Sequence, residues 1–318
     1  MTAYDPAWLD RMYNNRALVP EHGEHFARWD RASARVRATE PCAIDLAYGE
    51  APGERLDVFS AQGVGQGQGA PVLVFIHGGW WRSLDKAGHS FVAPAFTRQG
   101  ACVVVPNYTL CPATTIPGIA LEMVRALAWT WRHIAAHGGD PHRITVAGHS
   151  AGGHLAAMLL ACDWRRWGAD LPADLVKSAF AISGLYELDP IRHAPFLADA
   201  LRLTAEQVER ASPVRFPAPA AGGLCTVVGA DESPEFLRQN TLMQKAWGTA
   251  RVPVCEAHLH LNHFTVLDAL VDPGHRMHQL ALRLLMETPS VGGFRPFSAR
   301  DASTYHAQVG ALRDIEGV

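Results

Sequence analysis

The chain contains no apolar run approaching the roughly 20 residues that a membrane-spanning helix needs. No two of its cysteines stand in a C-x-x-C pair. The opening Met1-Thr2-Ala3-Tyr4-Asp5-Pro6 has no basic stretch leading into an apolar one, so no signal peptide is expected. Neither charge is in clear excess: 28 Lys and Arg stand against 31 Asp and Glu, a net charge of -3 at pH 7. That balance gives no reason to expect nucleic acid or an anionic membrane as partner. No internal repeat is visible. The six cysteines (Cys42, Cys102, Cys111, Cys162, Cys225 and Cys255) are scattered, some inside apolar runs such as 101–105. They read as buried free thiols in a reducing compartment, and a soluble, cytoplasmic protein is expected.

What is present is ordinary for a globular protein: 318 residues, 48% hydrophobic and 19% charged. The length suits one large domain or two small ones. Residues 1–40 carry Trp8, Met12, Phe26, Trp29 and Val36 at helical spacing and read as an N-terminal helical arm. Short apolar runs of strand length follow at 56–59, 72–76, 102–105, 144–147, 178–182, 225–228 and 252–256. Stretches of helical character separate them at 87–99, 117–137, 151–162 and 234–247, and a last helix is expected over 264–286. Strands alternating with helices predict a mostly parallel sheet with helices on both faces. Residues 185–217 interrupt the alternation and are expected to form a small helical cap. The glycine-rich 63–69 reads as an exposed loop rather than a phosphate cradle, because Pro71 follows and no strand leads tightly into it. The organisation expected is a single α/β domain over 1–288 and a surface tail over 289–318.

The strongest local signal is Gly148-His149-Ser150-Ala151-Gly152, a G-x-S-x-G match between a strand-like run and a helical one. A sharp strand-to-helix turn exposes the serine hydroxyl, and small flanking residues let the backbones pass closely. Ser150 is therefore the candidate nucleophile, in an α/β-hydrolase fold. His77-Gly78-Gly79-Trp80-Trp81 follows the strand at 72–76, where such a turn offers backbone N–H groups to an oxyanion. The N–H groups of Gly78, Gly79 and Ala151 are the expected donors. The base is expected in the loop after the last strand, which contains His258, His260 and His263. His263 stands directly before the last helix and is chosen; an H-x-H-x-x-H metal site is weighed and set aside, since no carboxylate or cysteine set accompanies it. The acid is expected after the strand at 225–228, which leaves Asp231 or Glu232. Spacing does not choose between neighbours.

These motifs together resemble those of the kynurenine formamidases (arylformamidases) and their bacterial esterase relatives. The resemblance is carried by His77–Trp81, by 148–155, by 183–188, by 233–239, by Asn262-His263-Phe264 and by Tyr13-Asn14-Asn15-Arg16. It covers roughly residues 4–286. In that family the acid stands six residues before the Arg of an Arg-Gln pair, and counting back from Arg238 lands on Glu232; a one-residue shift to Asp231 stays open. Gly153 stands where relatives often carry Ala.

The expected chemistry is two-step acyl transfer through Ser150 and His263, with no metal or organic cofactor implied. The substrate is expected to be a small ester or amide with aromatic character, contacted by Trp80, Trp81 and Tyr186. A carboxylesterase for short-acyl or aryl esters is placed first; hydrolysis of N-formyl-L-kynurenine, which the resemblance implies, is the alternative. Arg82, Arg192 and Arg202 are candidates for holding a carboxylate. A third reading, a non-catalytic relative that binds a ligand, is disfavoured because Ser150, His263 and an acid are all present. Apolar side chains on the arm suggest a homodimer.

Overall fold

The computed structural model describes residues 4–64 and 69–287. The tail expected over 289–318, and residues 65–68 of the glycine-rich loop, lie outside the described residues. The arm forms α1 (Pro6–Tyr13), α2 (Asn15–Leu18) and α3 (His22–Thr39). Asp5 and Asn14 cap the first two helices by accepting from the backbone N–H groups of Ala7 and Ala17.

Among the described residues eight strands form one sheet: β1 (Cys42–Ala47), β2 (Arg55–Phe59), β3 (Ala70–Ile76), β4 (Cys102–Pro106), β5 (Gly139–His149), β6 (Val176–Ile182), β7 (Gly223–Gly229) and β8 (Val254–His258), in the order β1-β2-β4-β3-β5-β6-β7-β8. β1 and β2 pair antiparallel, and β2 runs antiparallel to β4. Every pairing from β4 through β3 to β8 is parallel. β1 was not expected. It is an edge strand of mixed burial, interrupted at Asp45 (φ 58°), and so lacks the continuous apolar run of the central strands.

Along β3 the side chains alternate between two cores. Val72, Val74 and Ile76 pack into one with α5 (Ile116–His133), α6 (Ala151–Leu160) and α10 (Pro234–Trp247), while Leu73 and Phe75 pack into the other with α3, α11 (Val266–Val271) and α12 (Arg276–Met286). The remaining helices are α4 (Ala93–Thr97), α7 (Asp189–Arg192), α8 (Pro195–Leu201) and α9 (Ala205–Ala211). α7, α8 and α9 lie within 185–217, where the cap is expected.

Two expectations are corrected. The helix read over 264–286 is two helices, because Pro273 and Gly274 cannot sustain the backbone ladder between them. The helix read over 87–99 is two short 3₁₀ turns followed by α4, in a stretch that contains Gly88 and Pro94.

The arm spans both cores. Leu9 and Tyr13 of α1 pack into the first, and Val19 and Trp29 into the second. The chain therefore crosses from one face of the sheet to the other by way of α2. Tyr13 Oη donates to Glu235 Oε2 (2.5 Å) and Arg28 pairs with Asp268, so α1 and α3 are each tied to the body. Most of the arm's apolar side chains pack against its own chain, while Leu18 stays exposed. Among the described residues no helix is long and apolar enough to cross a membrane.

Candidate active site

β5 ends at His149 and α6 begins at Ala151, leaving Ser150 in the turn with φ 56° and ψ -117°. Such a backbone is strained for a residue with a Cβ and persists only where its surroundings over-determine it. They do so here. Ser150 N–H donates to Ile182 O (2.8 Å), and its carbonyl accepts from His154 N–H. A Cβ on Gly148 would lie 2.2 Å from Gly152 O, and one on Gly152 would lie 2.0 Å from Ile76 O. The helix starts so close to β3 and β5 that only hydrogen atoms fit at those positions.

β3 leads into His77-Gly78-Gly79. Gly79 has φ 110°, and a Cβ there would meet Ser83 O at 2.1 Å. A Cβ on Gly78 would fall 3.1 Å from Ser150 Cβ, so this turn lies directly against the serine. Among the described residues the Gly78 and Gly79 N–H groups donate to no protein acceptor. Ala151 is the first residue of α6, where helix geometry leaves the N–H unpaired at the positive end of the dipole.

His263 Nδ1–H donates to Glu232 Oε2 (2.6 Å). The other carboxylate oxygen, Oε1, accepts from Ser183 Oγ (2.5 Å) and from Gly229 N–H (2.9 Å). The Glu232 side chain is fully buried, whereas Asp231 is exposed. Of the two adjacent carboxylates only Glu232 reaches the imidazole. Asn262 Oδ1 accepts from Phe264 N–H and Thr265 N–H, a local turn that fixes the loop carrying His263. His149 Nε2–H donates to the His263 carbonyl (2.8 Å). Burial, then the neighbouring His263, holds the His149 imidazole well below its ordinary pKa, so it stays a neutral donor.

Ser150 and His263 line one cavity of ≈ 20 Å³ together with Gly79, Trp80, His149 and Phe264. Its opposite wall comes from the arm: Asn15 and Arg16 of α2, Phe26 and Trp29 of α3. A larger cavity of ≈ 210 Å³ also borders His263 and is lined by Met12, Asn15, Glu232 and Asn262 among others.

Not every expected residue is at this cavity. Trp80 lines it. Trp81 is fully buried with its ring edge-on to His154 (5.1 Å), and Tyr186 is fully buried with its N–H given to Gln239 Oε1. Both are core packing, and the expectation that they touch substrate is corrected. His258 is buried beside Glu256 and His275, and His260 is exposed in a left-handed turn. Among the described residues no three His, Cys, Asp or Glu side chains converge as a metal site would require.

A family model described as BD-FAE matches residues 56–164. A kynurenine formamidase of Danio rerio is 30% identical over 289 residues, covering 89% of this chain and 94% of the relative. The chain belongs to the kynurenine formamidase-like family of α/β-hydrolase esterases. It is a hydrolase. A Silicibacter sp. tm1040 protein of known structure is 26% identical, with a TM-score of 0.74 over 88% of this chain and 99% of that one. Esterase LipQ of Mycobacterium tuberculosis is 38% identical, but over 120 residues that cover 36% of this chain and 28% of the relative. The family frame leaves four features that sequence reasoning missed: Ser183 on Glu232, His149 on the His263 carbonyl, and the arm residues Arg16 and Trp29 in the cavity wall. Each stood in a stretch the sequence had singled out (Arg16 at the end of Tyr13-Asn14-Asn15-Arg16, His149 in the G-x-S-x-G match, Ser183 at the head of 183–188, Trp29 in the helical arm), but none carried a sign of its contact.

Proposed function

We propose that the protein is a serine hydrolase that removes a small acyl group, formyl or acetyl, from an aromatic leaving group. Ser150 is the nucleophile, His263 the base and Glu232 the acid. The observation that carries this reading is the buried Glu232–His263 hydrogen bond beside a cavity that His263 shares with Ser150. With Nδ1–H given to Glu232, the imidazole is held in the tautomer whose Nε2 accepts the serine proton. Glu232 then stabilises the imidazolium that forms. The tetrahedral oxyanion lies on the N–H groups of Gly78, Gly79 and Ala151, each worth a few kcal/mol, on the order of 3. His263 returns its proton to the leaving group, and water releases the acyl-enzyme by the same steps.

Two features support the substrate class. The ≈ 20 Å³ cavity beside Ser150 suits a formyl or acetyl group better than a long acyl chain. Phe26, Trp29, Trp80 and Phe264 line it with aromatic surface, and an aryl leaving group, too large for this volume, extends from its mouth. The relative matched along nearly its full length is a kynurenine formamidase, which favours an aryl formamide; the esterase reading keeps its place because aryl esters need the same machinery. The free cysteines fit a reducing, cytoplasmic setting. The test is kcat/KM on N-formyl-L-kynurenine and 4-nitrophenyl acetate side by side. A formamide value of ~10⁴ M⁻¹s⁻¹ or above makes this an arylformamidase. Good ester turnover with negligible formamide turnover makes it a carboxylesterase, and loss of neither in Ser150→Ala refutes the nucleophile.

A further inference from the structure

The hydrolytic machinery leaves one buried polar side chain of its own cavity unused. Asn15, the first residue of α2, lines the cavity with Ser150 and His263 and is only 4% exposed. Among the described residues its Nδ2 has no hydrogen-bond partner. A buried amide N–H without an acceptor costs stability, so its place in a site needs a reason. Trp29 Nε1 is the other buried, unpartnered polar atom on this cavity's described lining. It has a counterpart. His89 gives Nδ1–H to Asp85 O (2.9 Å), which leaves His89 Nε2 a bare acceptor on a ring 5.8 Å from that of Trp29. Among the described residues no buried, unpartnered acceptor stands on the lining of either cavity that Asn15 borders.

Asn15 also stands where water can arrive. Asn15 and His263 are the residues that line both the ≈ 20 Å³ cavity and the ≈ 210 Å³ one. No residue lining the smaller cavity is exposed, and an acyl group on Ser150 would fill it. The larger one reaches solvent, with Arg11, Leu18, Asp231 and Pro234 exposed on its lining. The chain on either side of Asn15 is tied down. Ser233 Oγ, next in sequence to Glu232, donates to Met12 O (2.5 Å). Arg16 Nη2 donates to Ser83 Oγ (2.9 Å), which in turn donates to Gly79 O (2.9 Å). The amide is thereby fixed relative to both the proposed acid and the proposed oxyanion turn.

From these positions we infer that Asn15 holds the water that releases the acyl-enzyme. The inference rests on the hydrolase reading above. Asn15 Nδ2–H donates to one lone pair of the water oxygen, and the water donates a proton to His263 Nε2. The other lone pair forms the bond to the acyl carbon, and the carbonyl electron pair moves onto the oxygen facing the Gly78, Gly79 and Ala151 N–H groups. Collapse breaks the bond to Ser150 Oγ. The serine regains its proton from His263, and the carboxylic acid departs. Formation of the acyl-enzyme needs no such water, so the two half-reactions respond differently to the loss of Asn15. A merely structural role would slow both.

Carbamoylation with 4-nitrophenyl N-methylcarbamate separates the half-reactions in the full-length protein. Release of 4-nitrophenol reads the first. After the reagent is removed, recovery of phenyl acetate turnover reads attack by water alone. In Asn15→Leu and Asn15→Ala, carbamoylation is expected within about twofold of wild type and recovery roughly tenfold or more slower. Asn15→Ser, which restores a donor, is expected to regain part of the difference. An equal fall in both steps, slower carbamoylation alone, or recovery at the wild-type rate overturns the inference. A wild-type protein that takes no carbamoyl group on Ser150 refutes the hydrolase assignment, and the inference with it. Labelling of Ser150 followed by unaltered recovery in the variants refutes the role of Asn15 alone.

Discussion

Glu232 Oε2 lies 2.6 Å from His263 Nδ1, although 31 residues and all of β8 separate them in the chain. The carboxylate is held on its other oxygen by Ser183 and Gly229, so it has little freedom to leave the imidazole. Its exposed neighbour Asp231 makes no such contact. Glu232→Gln is therefore expected to lower kcat on 4-nitrophenyl acetate by roughly a hundredfold or more, through loss of tautomer control and imidazolium stabilisation. Asp231→Asn is expected to stay within about twofold of wild type. Steady-state kinetics of the two variants decides between them.

Ser183 Oγ touches Glu232, the acid proposed above, and none of the groups proposed to react. Ser183→Ala leaves Oε1 of Glu232 with only the Gly229 N–H. We expect kcat to fall about tenfold with KM little changed, the mark of an interaction that matters in the transition state. A change in KM alone would show that Ser183 shapes binding instead.

Much of this was legible in the sequence. The apolar runs of β3 to β7 announce strands covered on both faces, and G-x-S-x-G between strand and helix singles out Ser150. The acid was not settled by spacing, because Asp231 and Glu232 are adjacent and only backbone geometry decides which side chain turns inward. The arm was legible as helix but not in its destination. Periodicity says that Phe26 and Trp29 share a buried face, not that the face they meet is the mouth of the site. Ser183 and His149 were invisible for a similar reason. Each acts through one long-range contact, to residues 49 and 114 positions away.

The glycines of the two turns give a stability test. Gly152→Ala places a methyl 2.0 Å from the Ile76 carbonyl in the packed sheet, and neither backbone can move freely. We expect a loss of about 3 kcal/mol or more, seen as a fall in Tm of roughly 5–10 °C or as insoluble protein. Gly23 in α3 has nothing within 4 Å of its would-be Cβ. Gly23→Ala is expected to leave Tm unchanged or raise it slightly, by ~0.5–1 kcal/mol of helix propensity. Scanning calorimetry of both variants reads the contrast.

Buried histidines set the acid limit of the fold. Burial pushes His154 down to about 4 and His89 down to about 3, from 6.5. Unfolded, each imidazole takes a proton near pH 6.5; folded, it does not until about pH 4 or 3. The unfolded state holds more protons across that window, so stability is lost as pH falls from 6.5 toward 4. About 2 kcal/mol per residue is expected to be gone by pH 5 relative to pH 8. Denaturant midpoints at those two pH values check this, and equal midpoints would contradict it.

The most direct test of Ser150, His263 and Glu232 acting together is reaction with diethyl 4-nitrophenyl phosphate, followed by intact-protein and peptide mass spectrometry. A single diethylphosphoryl group on Ser150 is expected, formed in step with the loss of 4-nitrophenyl acetate turnover, strongly slowed in Glu232→Gln and absent in Ser150→Ala. A Ser150→Ala protein that keeps wild-type turnover, or labelling at another residue that tracks the loss of activity, would contradict it.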